Sequence, residues 1–323
     1  MLRRAFLILI GGSAAATWDV IGAVPRLPFR VIDAMPAFWK FWDSTIEEPS
    51  DKRVRAFFDT VIAAYPDLFH HGLIASGALT DLGDVPETQA RVAKYLHDVN
   101  SYIPAMRHIT ITIRDNFSRY VQEFSTTFPD YAPIIPVYFS LSLFGFSGGL
   151  LVSGENTGLY FGVDELARIY GSTGNLKVIL QHELFHQYHY QIAPEISNDL
   201  AVWAFMWEEG LATYVSRRMN PGTTVDQVLV MPDRLSELAE PHLPNLARRL
   251  LDHADSTNPN DYSDLFTVGQ TPAGIPARSG YYVGYRVAEK LAATLSLVEL
   301  AHLRGPGLKQ AVLSVLAELQ KPA

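Results

Sequence analysis

The segment Leu176 to Tyr190 reads as a helix, and inside it lies His182-Glu183-Leu184-Phe185-His186. Two histidines four apart share one helical face, about 6 Å apart along the axis, so both imidazoles can reach a single cation. Nitrogen ligands in a tetrahedral set suit zinc, and a catalytic zinc takes three protein ligands and keeps one position for water. Glu183, beside the first histidine, projects toward that water and can accept its proton. The chain must therefore fold so that a third ligand meets this face. His189 cannot supply it: seven residues from His182 is a rise of about 10 Å. His189 is expected behind the ligands or at the surface.

A second long helix is predicted from Ile196 to Met219, carrying Trp207-Glu208-Glu209-Gly210-Leu211-Ala212-Thr213-Tyr214. A helix hairpin would fold a glutamate of this segment back onto the histidines. In the bare pattern Glu208 and Glu209 are equal candidates. Further on, Gly280-Tyr281-Tyr282-Val283-Gly284-Tyr285 opens another helix, predicted from Tyr281 to Leu295, with a last one from Leu308 to Leu319.

These pieces resemble the gluzincin metallopeptidases, which bind zinc through H-E-x-x-H and a glutamate of a following helix. Glu209-Gly210-Leu211-Ala212 looks like the E-G-F-A of the aminopeptidase N group, and the resemblance makes Glu209, not Glu208, the third ligand. The 22 residues between His186 and Glu209 exceed the spacing of those enzymes, an excess a loop at Ile192 to Glu195 absorbs cheaply. The Y-x-x-G at Tyr281 matches the setting of an aminopeptidase tyrosine that steadies the oxyanion, with Tyr282 and Tyr285 as competitors. The amine-binding G-x-M-E-N segment is met only in part by Ser153-Gly154-Glu155-Asn156, where glycine replaces the methionine. The combination of H-E-x-x-H, E-G-L-A and a late G-Y-x-x-G-Y is most similar to bacterial families described as predicted zinc-dependent proteases. The likeness runs from about Leu150 to the C-terminus. It implies an α+β, mostly α fold: a zincin-like catalytic domain with a small sheet packed on the histidine helix and a helical C-terminal part. It also implies one Zn2+ per chain and hydrolysis of peptide or protein substrates, with Glu183 as base and Tyr281 as oxyanion donor. The alternative is a protease-like protein that keeps zinc but serves as a binding or scaffold module.

Composition narrows the other classes. Of 323 residues 48% are hydrophobic and 19% charged, so a large core is available. A formal charge of −8, with Arg and Lys only in scattered pairs such as Arg217-Arg218 and Arg248-Arg249, argues against a nucleic-acid partner. With no cysteine, disulfides and thiolate ligands are excluded, and any metal must use His, Asp or Glu.

The N-terminus joins Arg3-Arg4 to an apolar run and Gly11-Gly12-Ser13-Ala14-Ala15-Ala16, the layout of a secretory signal. Its R-R-x-F-L resembles the twin-arginine export motif. About 13 apolar residues fall short of the roughly 20 that span a bilayer. The expectation is a signal at residues 1–23, cleaved near Ala16 or Ala23, and an exported, periplasmic or secreted protein with no stable membrane span. An uncleaved anchor and a buried N-terminal helix are the alternatives. Residues 24–130 are expected to form a mainly helical part and 131–323 the zincin-like domain.

Within these parts, helices are predicted at Val54 to Ala64 and Thr88 to Asn100, with His70 and His71 as a cap or surface pair. Strands are predicted at Ile109 to Ile113, Ile134 to Phe139 and Leu159 to Val163, the last as the sheet edge that would bind an extended peptide. Seven prolines between Asn220 and Arg278 predict an irregular lid or wall.

Overall fold

A computed structural model describes residues 29–74, 76–82, 85–151, 157–268, 271 and 274–321. Residues 1–28, where the export signal is expected, and residues 152–156, with Ser153-Gly154-Glu155-Asn156, lie outside them. The fold is α+β and mostly helical, with one four-stranded sheet. Among the described residues no helix is long and apolar enough to cross a membrane. The chain divides into two compact units, residues 1–122 with 132–183, and residues 123–131 with 184–323.

The first unit holds the sheet. Strands β1 (Val31–Asp33), β2 (Val137–Ser140), β3 (Gly148–Leu151) and β4 (Gly158–Gly162) lie in the order β1-β2-β4-β3. The first three neighbours run parallel, and β3 is antiparallel to β4. Register pairs Tyr138 with Tyr160 and Phe139 with Phe161. Each pair stacks, at 4.4 and 5.2 Å between ring centroids, one pair on either face because side chains alternate along a strand. All five residues of β4 are buried, so β4 is an inner strand. This corrects the expectation that Leu159 to Val163 forms an edge: the edges are β1 and β3. The apolar run has the composition of a strand covered on both faces.

The predicted strand at Ile109 to Ile113 is also corrected. These residues belong to the helix Ile103–Thr127. The alternation Ile-Thr-Ile-Thr-Ile imitates a strand, but Met106, Ile109, Ile113, Phe117, Val121 and Phe124 continue a three-to-four spacing and are all buried. Ile111, which a strand would place with Ile109 and Ile113, is 49% exposed. Tertiary packing over 25 residues overrides the local β-branched preference.

The predicted helix at Val54 to Ala64 corresponds to Ser50–Ala56 continued by a π-helical stretch, Phe57–Ile62, and that at Thr88 to Asn100 to Pro86–Asp98. Unpredicted is Met35–Thr45, which buries Met35, Phe38, Phe41 and Trp42. Asp33 ends β1 and accepts the amide of Met35 at 2.9 Å.

The second unit is helical. The histidine helix (Leu176–Ile192), whose residues from Leu184 onward belong to it, packs on the segment 123–131. Phe128 meets Tyr188 at 4.7 Å and Phe185 at 5.7 Å between centroids. Polar contacts lock the register: Tyr131 donates to Gln187, and Tyr188 to Asp130 at 2.7 Å. Burial and the Asp130 carboxylate both push the Tyr188 phenol upward.

The predicted helix from Ile196 is interrupted. A short turn, Pro194–Ser197, precedes the glutamate helix (Val202–Met219), and Asp199 accepts the amide of Ala201 at the break. The glutamate helix crosses the glycine helix (Ser279–Leu291) at backbone contact. A Cβ on Gly210 would stand 2.1 Å from the carbonyl carbon of Gly284, and one on Gly284 would stand 2.3 Å from Met206 O. The proline-bearing stretch between these helices contains the short helices Val225–Leu229, Leu235–Ala239, Leu243–Asp252 and Ser263–Phe266. Arg249 pairs with Asp264 through two bonds of 2.7 Å. The last helix is Gly305–Leu319.

Two outcomes are expected. Burial pushes the Asp33 carboxyl up to about 6 against the pull of the Met35 amide and Arg114. The folded chain then holds this proton up to about pH 6 while the unfolded chain releases it near 3.8, so this group's contribution to stability falls as pH rises through that window. Asp33→Asn keeps an acceptor for Met35 and should flatten that slope and gain about 2 kcal/mol at pH 7, read by denaturant unfolding across pH 4–7. Separately, Gly210→Ala forces two backbones apart and should cost about 3 kcal/mol in the same assay.

Candidate metal centre

His182, Glu183 and His186 lie in the middle of the histidine helix, with relative exposures of 9, 7 and 9%. The helix pitch puts the two histidines on one face. Glu209, on the glutamate helix, reaches the same place: its Oε2 lies 3.4 Å from Nε2 of His186. One ligand atom from each of His182, His186 and Glu209 falls within 4.8 Å of the others. Among the described residues this is the one such group of three or more.

A tetrahedral zinc with ligands about 2.0–2.1 Å away sets donor atoms roughly 3.3 Å apart. The His186–Glu209 pair matches that scale at 3.4 Å, and all three ligand atoms lie within 4.8 Å of one another. Two imidazoles and one carboxylate, almost buried, are a donor set that zinc accepts and that leaves a position for water.

The neighbouring carboxylate does something else. Successive helical residues point about 100° apart, and Glu208 turns inward, 2% exposed. It accepts the hydroxyl of Ser197 and lies 3.5 Å from Nδ1 of His189. His189 is fully buried and stacks on Phe185 at 5.6 Å. Of the two positions expected for His189, behind the ligands or at the surface, it takes the buried one. Ser197, His189 and Glu208 form a buried group that no local sequence pattern announces as a whole. A Glu-Glu pair on an otherwise apolar helix was the available signal that one carboxylate would need a buried partner.

The three tyrosines of the glycine helix have different surroundings. Tyr282 donates to Glu240 and also meets Arg286, and burial with the Glu240 bond pushes its phenol up to about 12. Tyr285 donates to Glu289 at 3.0 Å and receives Arg217, and burial with the Glu289 charge pushes it up to about 12 as well. Tyr281 sits in the first turn, half-buried, with its ring under the Arg278 guanidinium at 4.2 Å and beside Phe266. The glycines of the motif have a packing role. Gly280 makes room for the Phe266 ring, 2.4 Å from where a Cβ would be, and Gly284 makes room for Gly210. His70 and His71 meet edge to face, with ring centroids 5.3 Å apart.

Residues 163–300 match the model of a family described as predicted Zn-dependent protease (DUF2268). That stretch contains every motif named above from His182 to Tyr285, and the resemblance expected from those motifs is present over it. No curated protein and no solved structure matches the chain.

The adjacent glutamates give opposite expectations. Glu209→Gln should lose most bound zinc, measured by elemental analysis, with little change in melting temperature of the metal-free protein. Glu208→Ala leaves His189 facing an empty buried site and should cost about 3 kcal/mol of stability in metal-free protein.

Proposed function

We propose that this chain is a gluzincin-type zinc peptidase with a zincin-like catalytic domain. The observation that carries the reading is the convergence of His182, His186 and Glu209 into one ligand-sized cluster. The family likeness over residues 163–300 supports it. Zinc held there would polarise a peptide carbonyl and make a water acidic enough to lose a proton near neutral pH.

The remaining work falls to the chain's own groups. Glu183, next to His182 and almost buried, takes the water's proton and later delivers it to the leaving amine. Low exposure strengthens this exchange by keeping bulk water from competing for the carboxylate. Tyr281 is the proposed donor to the developing oxyanion, on the likeness of its Y-x-x-G setting to that of the aminopeptidase tyrosine. The substrate is a peptide or protein. The N-terminal Arg-Arg, apolar and small-residue run supports export as part of the same reading.

The test is metal content by elemental analysis together with hydrolysis of a mixed peptide library, for wild type and Glu183→Gln prepared without chelator. The expected result is one zinc per chain in both, with turnover lower by about a hundredfold or more in the variant. Zinc in both with no cleavage by wild type would favour a zinc-holding binding module. Near wild-type turnover in Glu183→Gln would remove the proposed base.

A further inference from the structure

Strand β3 begins at Gly148, and within the first unit this residue lies directly against Glu183. A Cβ at position 148 would lie 2.8 Å from Cγ of Glu183 and 3.0 Å from its Cδ and Oε1. Carbon atoms pack at about 3.5–4.0 Å, so any side chain at 148 must move that glutamate. Next door, a Cβ on Gly149 would meet nothing within 4 Å. The two glycines share a strand and a partner strand, pairing with Phe161 and Tyr160 respectively, and differ in what they face.

The approach of β3 is held from behind. Asp164, fully buried in the first turn of the helix Val163–Tyr170, accepts the amides of Ser142 and Phe144 at 2.8 and 2.9 Å and the Ser142 hydroxyl at 3.1 Å. Those bonds keep Leu143 and Phe144 in the left-handed region, at φ 52° and 60°, where neither residue type rests by preference. Gly162 lets the same loop close onto β4: a Cβ there would stand 2.2 Å from Phe146 O. The loop thus delivers Gly148 to a fixed place, and a rigid backbone rather than a mobile side chain confronts the carboxylate.

We infer that Gly148 is a positioning residue for Glu183: its missing side chain lets the strand backbone restrict the rotamers of the base. The kinetic side of this inference rests on Glu183 being the base of a peptidase, whereas the contact itself does not. Two experiments separate them. In metal-free protein, Gly148→Ala should lower the melting temperature in the wild-type background and cost nothing in a Glu183→Ala background, where the three crowding atoms are gone. Gly149→Ala should cost the same in both. If Gly148→Ala alone fails to fold, recovery of folding in Gly148→Ala with Glu183→Ala supports the contact, and failure of both overturns it. An equal cost of Gly148→Ala with and without the Glu183 side chain also overturns it.

In zinc-loaded protein with a cleaved library peptide, Gly148→Ala should lower kcat by about tenfold or more. KM should stay within about twofold, with one zinc per chain. Unchanged kcat, or equal losses in Gly148→Ala and Gly149→Ala, would overturn the positioning role. Should wild type cleave no peptide, the peptidase reading falls while the melting cycle still decides the contact.

Discussion

The glutamate and glycine helices touch backbone to backbone at Gly210 and Gly284, and the position of Glu209 depends on that contact. A helix carrying its ligand one residue before such a crossing cannot slide or roll without driving peptide groups into one another. The short side chain of Glu209 then needs only its own rotamer to stand 3.4 Å from His186. Metal geometry is exacting to tenths of an ångström, and small-residue packing is among the few devices that fix a helix that closely. The E-G-L-A and G-Y-x-x-G-Y pieces are therefore two halves of one interface.

On the glutamate helix the two acids divide one task between them. Glu209 offers its oxygens to the imidazoles, while Glu208, rotated by one residue, holds Ser197 and faces His189 from inside. A buried carboxylate without such partners would be costly to keep charged. Ser197 ends the Pro194–Ser197 turn and His189 lies on the helix before it, so Glu208 also ties down the chain between the histidines and Glu209. The long spacing between His186 and Glu209 is taken up there, by a turn at Pro194–Ser197 and a break before Val202.

Much of this was legible in sequence because helix pitch converts spacing into geometry. The histidine helix, the glutamate helix from Val202 onward, the glycine helix and the last helix all stand where apolar spacing places them. Where legibility failed, a second pattern competed. Ile109-Thr110-Ile111-Thr112-Ile113 satisfies a two-residue period over five residues, and only the buried positions out to Phe124 reveal the longer period. Strand β3 was invisible because Gly148 and Gly149 carry no β preference, their place being set by what they approach. With β3 unseen, β4 was given the edge that β3 occupies. The Glu208 partners and the Gly148 contact were unreadable for a related reason: both depend on residues far apart in the chain meeting at a distance no local pattern encodes.

The aromatic clasp between residues 123–131 and the histidine helix sets a boundary of another kind. Phe128, Tyr131 and Asp130 cover and bond the side of that helix that carries Tyr188 and Gln187, yet they precede the stretch of family likeness by more than thirty residues. Gly305–Leu319, which completes the helical unit, begins after that stretch ends. What relatives share in sequence and what must be synthesised together to make a stable body are thus different lengths of chain. A fragment cut to the shared motifs would carry His182, His186 and Glu209, with the histidine helix stripped of its backing.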